Sequence, residues 1–230
     1  MFKNFKMVIN MESSMARTHA ITLDGIVGGQ LAAEGVDGPT AAQTPGYFDL
    51  WNGVPMASYM HMHQEWRSIK NSISRSTLRQ RTLNSIFMDK LKPGEFRKIN
   101  GGSSYIDFPA QEIFDVHSSD TVTFFGRGDP EKITELLLRH GFIGSKTSRG
   151  YGEIKPNGID IYDYDADIAG IFHNGNLVRP IPIELMDGRN ERYRSDIGRW
   201  CNPYSPRLAA RYGYEQSSVA KPLEDFPVAE

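Results

Sequence analysis

The densest chemistry in the chain lies between residues 140 and 154, which read His140-Gly-Phe-Ile-Gly-Ser-Lys-Thr-Ser-Arg-Gly-Tyr-Gly-Glu-Ile154. Four glycines, Gly141, Gly144, Gly150 and Gly152, flank Ser145, Lys146, Thr147, Ser148 and Arg149, with Tyr151 between the last two. Glycines let backbone amides come close to an anion, hydroxyls donate hydrogen bonds, and Lys and Arg supply positive charge. The stretch therefore has the chemistry of a clamp on a phosphate backbone. Two other phosphate loops fail on spacing. A P-loop needs Gly directly before Lys and a helix after it, whereas Ser145 separates Gly144 from Lys146 and a strand pattern follows. The dinucleotide fingerprint needs a third glycine where position 155 carries Lys. A merely flexible turn accounts for one or two glycines, but not for the basic and hydroxyl filling.

Two further windows are basic. From Glu65 to Lys98, nine basic residues face three acidic ones, a net +6, and Arg67, Arg75, Arg79 and Arg81 stand out as candidate anion contacts. From Arg189 to Arg211, six arginines face two acids, and Arg192, Arg194 and Arg199 are interleaved with Tyr193, Trp200 and Tyr204. A charge run is often only a solvated face. Two arginine windows spaced by aromatics favour nucleic acid, because guanidinium planes stack on bases and grip phosphates. Trp200 is equally readable as a base-stacking ring or as a core anchor. His61-Met-His63 has no third metal ligand at a recognisable spacing, and Asp160, Asp163, Asp165 and Asp167 lack the glycine and terminal glutamate of a calcium loop. No metal or cofactor is expected.

The elements that must hold these residues follow from periodicity. Phe5, Met7, Ile9 and Met11 alternate with polar residues and predict a half-buried first strand. Thr18–Glu34 carries Ile21, Ile26, Val27 and Leu31 at mostly helical spacing, weakened by glycines. Residues 35–55 read as loop, and the basic window that follows as broken helical pieces. Strands are expected around Pro109 and over Thr121–Phe125. Asp129 as N-cap, Pro130 at the first helical position, an apolar face of Ile133, Leu136, Leu137 and Leu138, and a closing Gly141 predict a helix. Tyr151–Tyr162 returns as a strand or as a hairpin turned at Pro156-Asn-Gly158, and Leu177–Leu185 offers one more strand. The order is β, α, β, β, α, β. That predicts an α+β, ferredoxin-like (RRM-like) sheet over residues 1–165, with a long basic insertion at about 56–98 and an irregular C-terminal extension over 166–230.

In that frame the glycine loop resembles the signature loop of the RAMP superfamily, the repeat-associated proteins of CRISPR–Cas systems. Thr22-Leu-Asp-Gly25 resembles the Leu-Asp-Gly element of the subunits that bind the 5′ handle of crRNA. Val178-Arg-Pro-Ile-Pro182 resembles a Pro-flanked strand late in that group, and Trp200-Cys-Asn-Pro-Tyr204 its Pro-Tyr element. Size and the lack of zinc ligands are closest to the Cas-five-like subunit of type IV complexes, with the type III counterpart as the alternative. The resemblance implies a non-catalytic subunit, one copy per hetero-oligomeric complex, that caps the crRNA 5′ handle beside the CRISPR backbone subunit and the large subunit. Target DNA is a further partner the reading leaves open.

Composition agrees with a single folded body. The 230 residues carry 26 Lys and Arg against 28 Asp and Glu, with 11% aromatics. That length predicts one large domain or one domain with an appendage. One cysteine, Cys201, excludes an intramolecular disulfide and any cysteine-rich metal site, so a reducing, cytoplasmic setting is expected. No run approaches the roughly 18 apolar residues of a membrane span, and no membrane partner is expected. Two alternatives remain open on the residues. One is a metal-independent endoribonuclease that uses His61, His63 and Lys146. The other is a nucleotide-binding or acyl-transfer enzyme that uses the glycine loop for a pyrophosphate.

Overall fold

A computed structural model describes residues 2–17, 21–63, 66–77, 107–145, 147–188, 193–200 and 217–222. The fold is mixed α and β, built mostly of strands. In chain order the elements are β1 (Lys3–Met11), β2 (Met15–Arg17), α1 (Leu23–Ala33), α2 (Gly38–Gln43), β3 (Leu50–Trp51), β4 (Val54–Pro55), β5 (His61–Met62), β6 (Trp66–Thr77), β7 (Asp107–Ser118), β8 (Thr121–Gly128), α3 (Pro130–His140), β9 (Ile154–Asp163), β10 (Phe172–His173), β11 (Asn176–Leu177), β12 (Ile181–Pro182), β13 (Arg194–Gly198) and β14 (Ser217–Lys221). The chain divides into two compact units, one formed by Met1–Arg67 with Val116–Glu230 and the other by Ser68–Asp115.

The first unit is organised by a four-stranded sheet in the order β5-β8-β1-β9, with every neighbouring pair antiparallel. Period-two alternation puts Phe5, Met7, Ile9 and Met11 of β1 on one buried face, aligned with Phe124 and Val122 of β8 through the pairs Met7↔Phe124 and Ile9↔Val122. Helices α1, between β1 and β5, and α3, between β8 and β9, supply Leu23, Val27, Ile133, Leu136 and Leu137 to the same core. Removing each such side chain from water contributes roughly 1.5–3 kcal/mol. A second cluster gathers Val54, Met56, Ile171, Phe172, Leu177, Ile181, Met186 and Ala220, with Trp51 and Trp200 packed against it. Above it, β12, β14 and β13 form a small antiparallel sheet, pinned by an ion pair of 2.7 Å between Lys221 and Asp196. In the second unit the long strands β6 and β7 are sheet neighbours.

Helix α3 follows its local signals. The Asp129 carboxylate accepts from the Lys132 amide at 3.1 Å, and Gly141 closes the helix at φ 71. Leu138, however, points outward and is exposed. Other expectations are corrected. Helix α1 starts at Leu23, because Thr22 takes the N-cap and its hydroxyl accepts from the Gly25 amide at 3.3 Å. Residues 35–55 hold α2 and the β3–β4 hairpin in place of a plain loop. Residues 66–77 form a strand and not helical pieces, since pairing with a distant strand overrides local spacing. Pro156-Asn-Gly158 does not turn a hairpin. It sits in a bulge within β9, where the register on β1 shifts between Ile9 and Met11 and Asn157 takes φ 55. The expected strand over Leu177–Leu185 breaks into β11, β12 and a 3-10 turn, and the C-terminal extension is less irregular than expected, holding β13 and β14. The second unit spans Ser68–Asp115, against the expected insertion at 56–98; Met56, Ala57 and Met60 are buried in the cores of the first unit.

Candidate nucleic-acid interface

The glycine loop leaves the C-terminus of α3 and returns into β9, and backbone hydrogen bonds fix most of it. The Ile143 amide donates to Gly152 O at 2.8 Å, Gly150 N to Thr147 O at 2.9 Å, Gly152 N to Ser14 O at 2.9 Å, and Ile154 N to Gly141 O at 2.9 Å. Ser145 lies against Ala16, with its hydroxyl donating to Ala16 O at 2.7 Å. Gln30 of α1 donates to Phe142 O at 3.0 Å, tying the first helix to the loop base. The amides of Gly141, Ile143, Ser145, Gly150, Gly152, Glu153 and Ile154 are thus spent within the protein. For Gly141, Gly150 and Gly152 that differs from the expectation that the glycines bring backbone amides to an anion. Gly152 is required for another reason: a Cβ there would lie 1.8 Å from Ile143 O. A Cβ on Gly150 would meet nothing within 4 Å, so only its φ of +81 restricts that position.

What the loop turns outward is side chain. Thr147–Arg149 form a single 3-10 turn in which Ser148 and Arg149 are exposed, as are Gly144 and Gly150, while Thr147 and Tyr151 are half-buried. Hydroxyls and a guanidinium on a rigid turn can donate to phosphate oxygens, and the planar guanidinium can do so in a bidentate manner. Lys146 lies outside the described residues. At the loop's foot, Glu34 accepts from Arg139 at 2.8 Å and lies 3.3 Å from His140 Nε2, joining the ends of α1 and α3.

The other expected contacts are dispersed. Arg67 and Arg75 lie on β6, while Arg79, Arg81 and Arg192 fall outside the described residues, as does Tyr204. Arg194 is exposed on β13. Arg199 and Trp200 are half-buried, and Trp200 packs against the second core cluster, as a core anchor would.

Sequence reasoning missed two constellations. The first is Arg179, wholly buried, whose guanidinium donates to the carbonyls of Pro55, Ala57 and Trp200 and lies 3.6 Å from the equally buried Asp24. It joins the Leu-Asp-Gly segment of α1, the Val178–Pro182 segment and the start of the Trp200–Tyr204 segment at one point. An arginine wedged between Val178 and Pro180 in an apolar run was the available signal. The second is a ring cluster on the sheet face opposite the helices. His173 stacks on Phe125 with centroids 4.3 Å apart and planes at 21°, and its Nδ1 is 2.5 Å from the Tyr164 hydroxyl. His61 meets Phe125 edge-on at 5.5 Å, and His63 Nε2 bonds Thr123 Oγ1 at 3.0 Å. Burial, with Lys6 nearby, holds the His173 pKa below its ordinary value, and burial raises that of Tyr164. The histidines are too far apart in sequence for spacing to reveal this.

Among the described residues no group of three or more His, Cys, Asp or Glu could hold a metal ion, and no helix is long and apolar enough to cross a membrane. No protein-family model matches the chain, and no curated protein matches it either.

Proposed function

We propose that this chain is a non-catalytic RNA-binding subunit of a class 1 CRISPR effector complex, a Cas-five-like RAMP protein that caps the 5′ handle of crRNA. The observation that carries the reading is the Thr147–Gly150 turn, a rigid crown of hydroxyls and a guanidinium at the junction of α3 and β9. Two further features support it. The strand order β9-β1-β8-β5, all antiparallel with a helix in each crossover, is the order a ferredoxin-like βαββαβ sheet would have. The segments that resemble the handle-binding subunits meet at Arg179, as parts of one arrangement in the fold. In this reading the Ser68–Asp115 unit and its basic residues lie along the RNA or a neighbouring backbone subunit.

The test is to purify the protein natively and sequence the RNA that accompanies it. Discrete RNAs sharing one 5′ end are expected. Absence of RNA, or RNA of random ends, overturns the proposal. Incubation with repeat RNA in chelator separates the ribonuclease alternative, because only a ribonuclease yields discrete metal-independent cleavage.

A further inference from the structure

We infer that Ser13, in the turn between β1 and β2, is the positioning residue for the anion-binding crown of the glycine loop. The inference rests on the phosphate-binding reading of that loop. The Ser13 hydroxyl donates to Gly150 O at 2.8 Å and accepts from the Glu153 amide at 2.9 Å. One side chain thus spans the two ends of the segment 150–153 and satisfies a backbone carbonyl and a backbone amide at once, which uses a hydroxyl's capacity as donor and acceptor together. Around it the same turn holds the loop by main chain: Gly152 N donates to Ser14 O at 2.9 Å and Glu12 N to Glu153 O at 2.8 Å.

Gly150 is the last residue of the exposed crown, and its amide in turn closes the Thr147 turn at 2.9 Å. A displacement of Gly150 therefore shifts Thr147, Ser148 and Arg149 as a body. Ser13 is half-buried and its hydroxyl is engaged with Gly150 O and the Glu153 amide, so its effect on a ligand is transmitted through the loop. No other side-chain hydroxyl among the described residues bonds both Gly150 and Glu153. A methyl at position 13 leaves the main-chain bonds in place but frees Gly150 O and Glu153 N, and the crown loses its fixed height above the turn.

The probe is a fluorescent, unstructured single-stranded RNA oligonucleotide titrated by anisotropy at fixed salt against the full chain. Ser13→Ala should weaken binding by about 3- to 10-fold, the scale of one lost positioning hydrogen bond. Ser13→Thr, which keeps the hydroxyl, should restore it. In an Arg149→Ala background the Ser13→Ala penalty should largely vanish, because the group being positioned is gone. Full binding by Ser13→Ala, with Arg149→Ala impaired, overturns the positioning role alone. A Ser13→Ala penalty that is unchanged in the Arg149→Ala background and not rescued by Thr overturns it as well, as a general structural effect. Wild-type binding by Arg149→Ala overturns the phosphate reading and the inference with it.

Discussion

At the scale of single residues, the loop's glycines do different work from that their composition suggests. Gly152 is needed because its own chain passes too close for a side chain, whereas Gly150 needs only a left-handed conformation. Gly150→Ala should cost about 1–2 kcal/mol, a fall of a few degrees in Tm for a chain of this size. Gly152→Ala cannot be accommodated without moving Ile143, and should lower Tm clearly more in a thermal melt. Equal losses would mean that the close approach is relieved at no cost. Arg179 is a second such position. Arg179→Met leaves Asp24 buried without its ion pair and should destabilise by about 3–5 kcal/mol, with Asp24→Asn in the same chain recovering part of the loss. Denaturant unfolding of the two variants measures this. The hydroxyls and charges of the loop are read directly from the sequence. It could not show where the amides of Ser145, Gly152 and Glu153 go, because their acceptors on Ala16, Ser14 and Ser13 lie more than a hundred residues earlier.

Elements were readable where their determinants are local. Helix α3 carries its cap, its first-position proline and its closing glycine within a dozen residues, so the sequence expectation and the structure coincide. Strand β6 has Ile69 and Ile73 four apart, which imitates a helical face, and its strand state depends on pairing with β7. The β10–β11 hairpin was invisible for the same reason: Phe125, on which His173 stacks, comes from elsewhere in the chain. That hairpin should respond to pH. The His173 pKa is lowered in the folded protein, so its packing contributes full stability above the ordinary histidine value near 6.5, and the contribution is lost as pH falls from there through the folded pKa. Protonation also places a second cation near Lys6. Thermal melts between about pH 7.5 and 5 should show a decline that His173→Phe flattens. An identical slope in that variant would assign the decline to other groups.

At the scale of the whole molecule, charge and architecture part company in an informative way. The basic window read from sequence has a net +6, but the unit that folds together runs to Asp115 and holds eight basic residues against five acidic ones, a net +3. With −2 overall, the remainder carries −5. Replacing 68–115 by a short Gly-Ser linker should leave a cooperatively unfolding first unit, because Met1–Arg67 with Val116–Glu230 forms a compact unit with core clusters of its own. The excised chain should bind single-stranded RNA with a shallower salt dependence, each lost phosphate contact removing roughly 0.7 from the log–log slope. An unchanged slope would mean that the lobe's charge is only solvated surface.

The hydrogen bonds between the β1–β2 turn and the glycine loop also bear on when the crown can exist. Ser13 and Gly150 are 137 residues apart in the chain, and Ser145 and Ala16 are 129 apart. Contacts of such sequence separation form late, after the loop-closure entropy has been met by other parts of the fold. A growing polypeptide that has emerged only as far as the second unit has its basic residues but not its crown. Whatever the first contacts of a nascent chain with an anionic polymer are, they are unselective charge contacts. In the RNA-binding reading proposed above, the shaped contact comes into being only once the two ends of the first unit have found each other, so completion of folding would itself be a checkpoint on which molecules are retained.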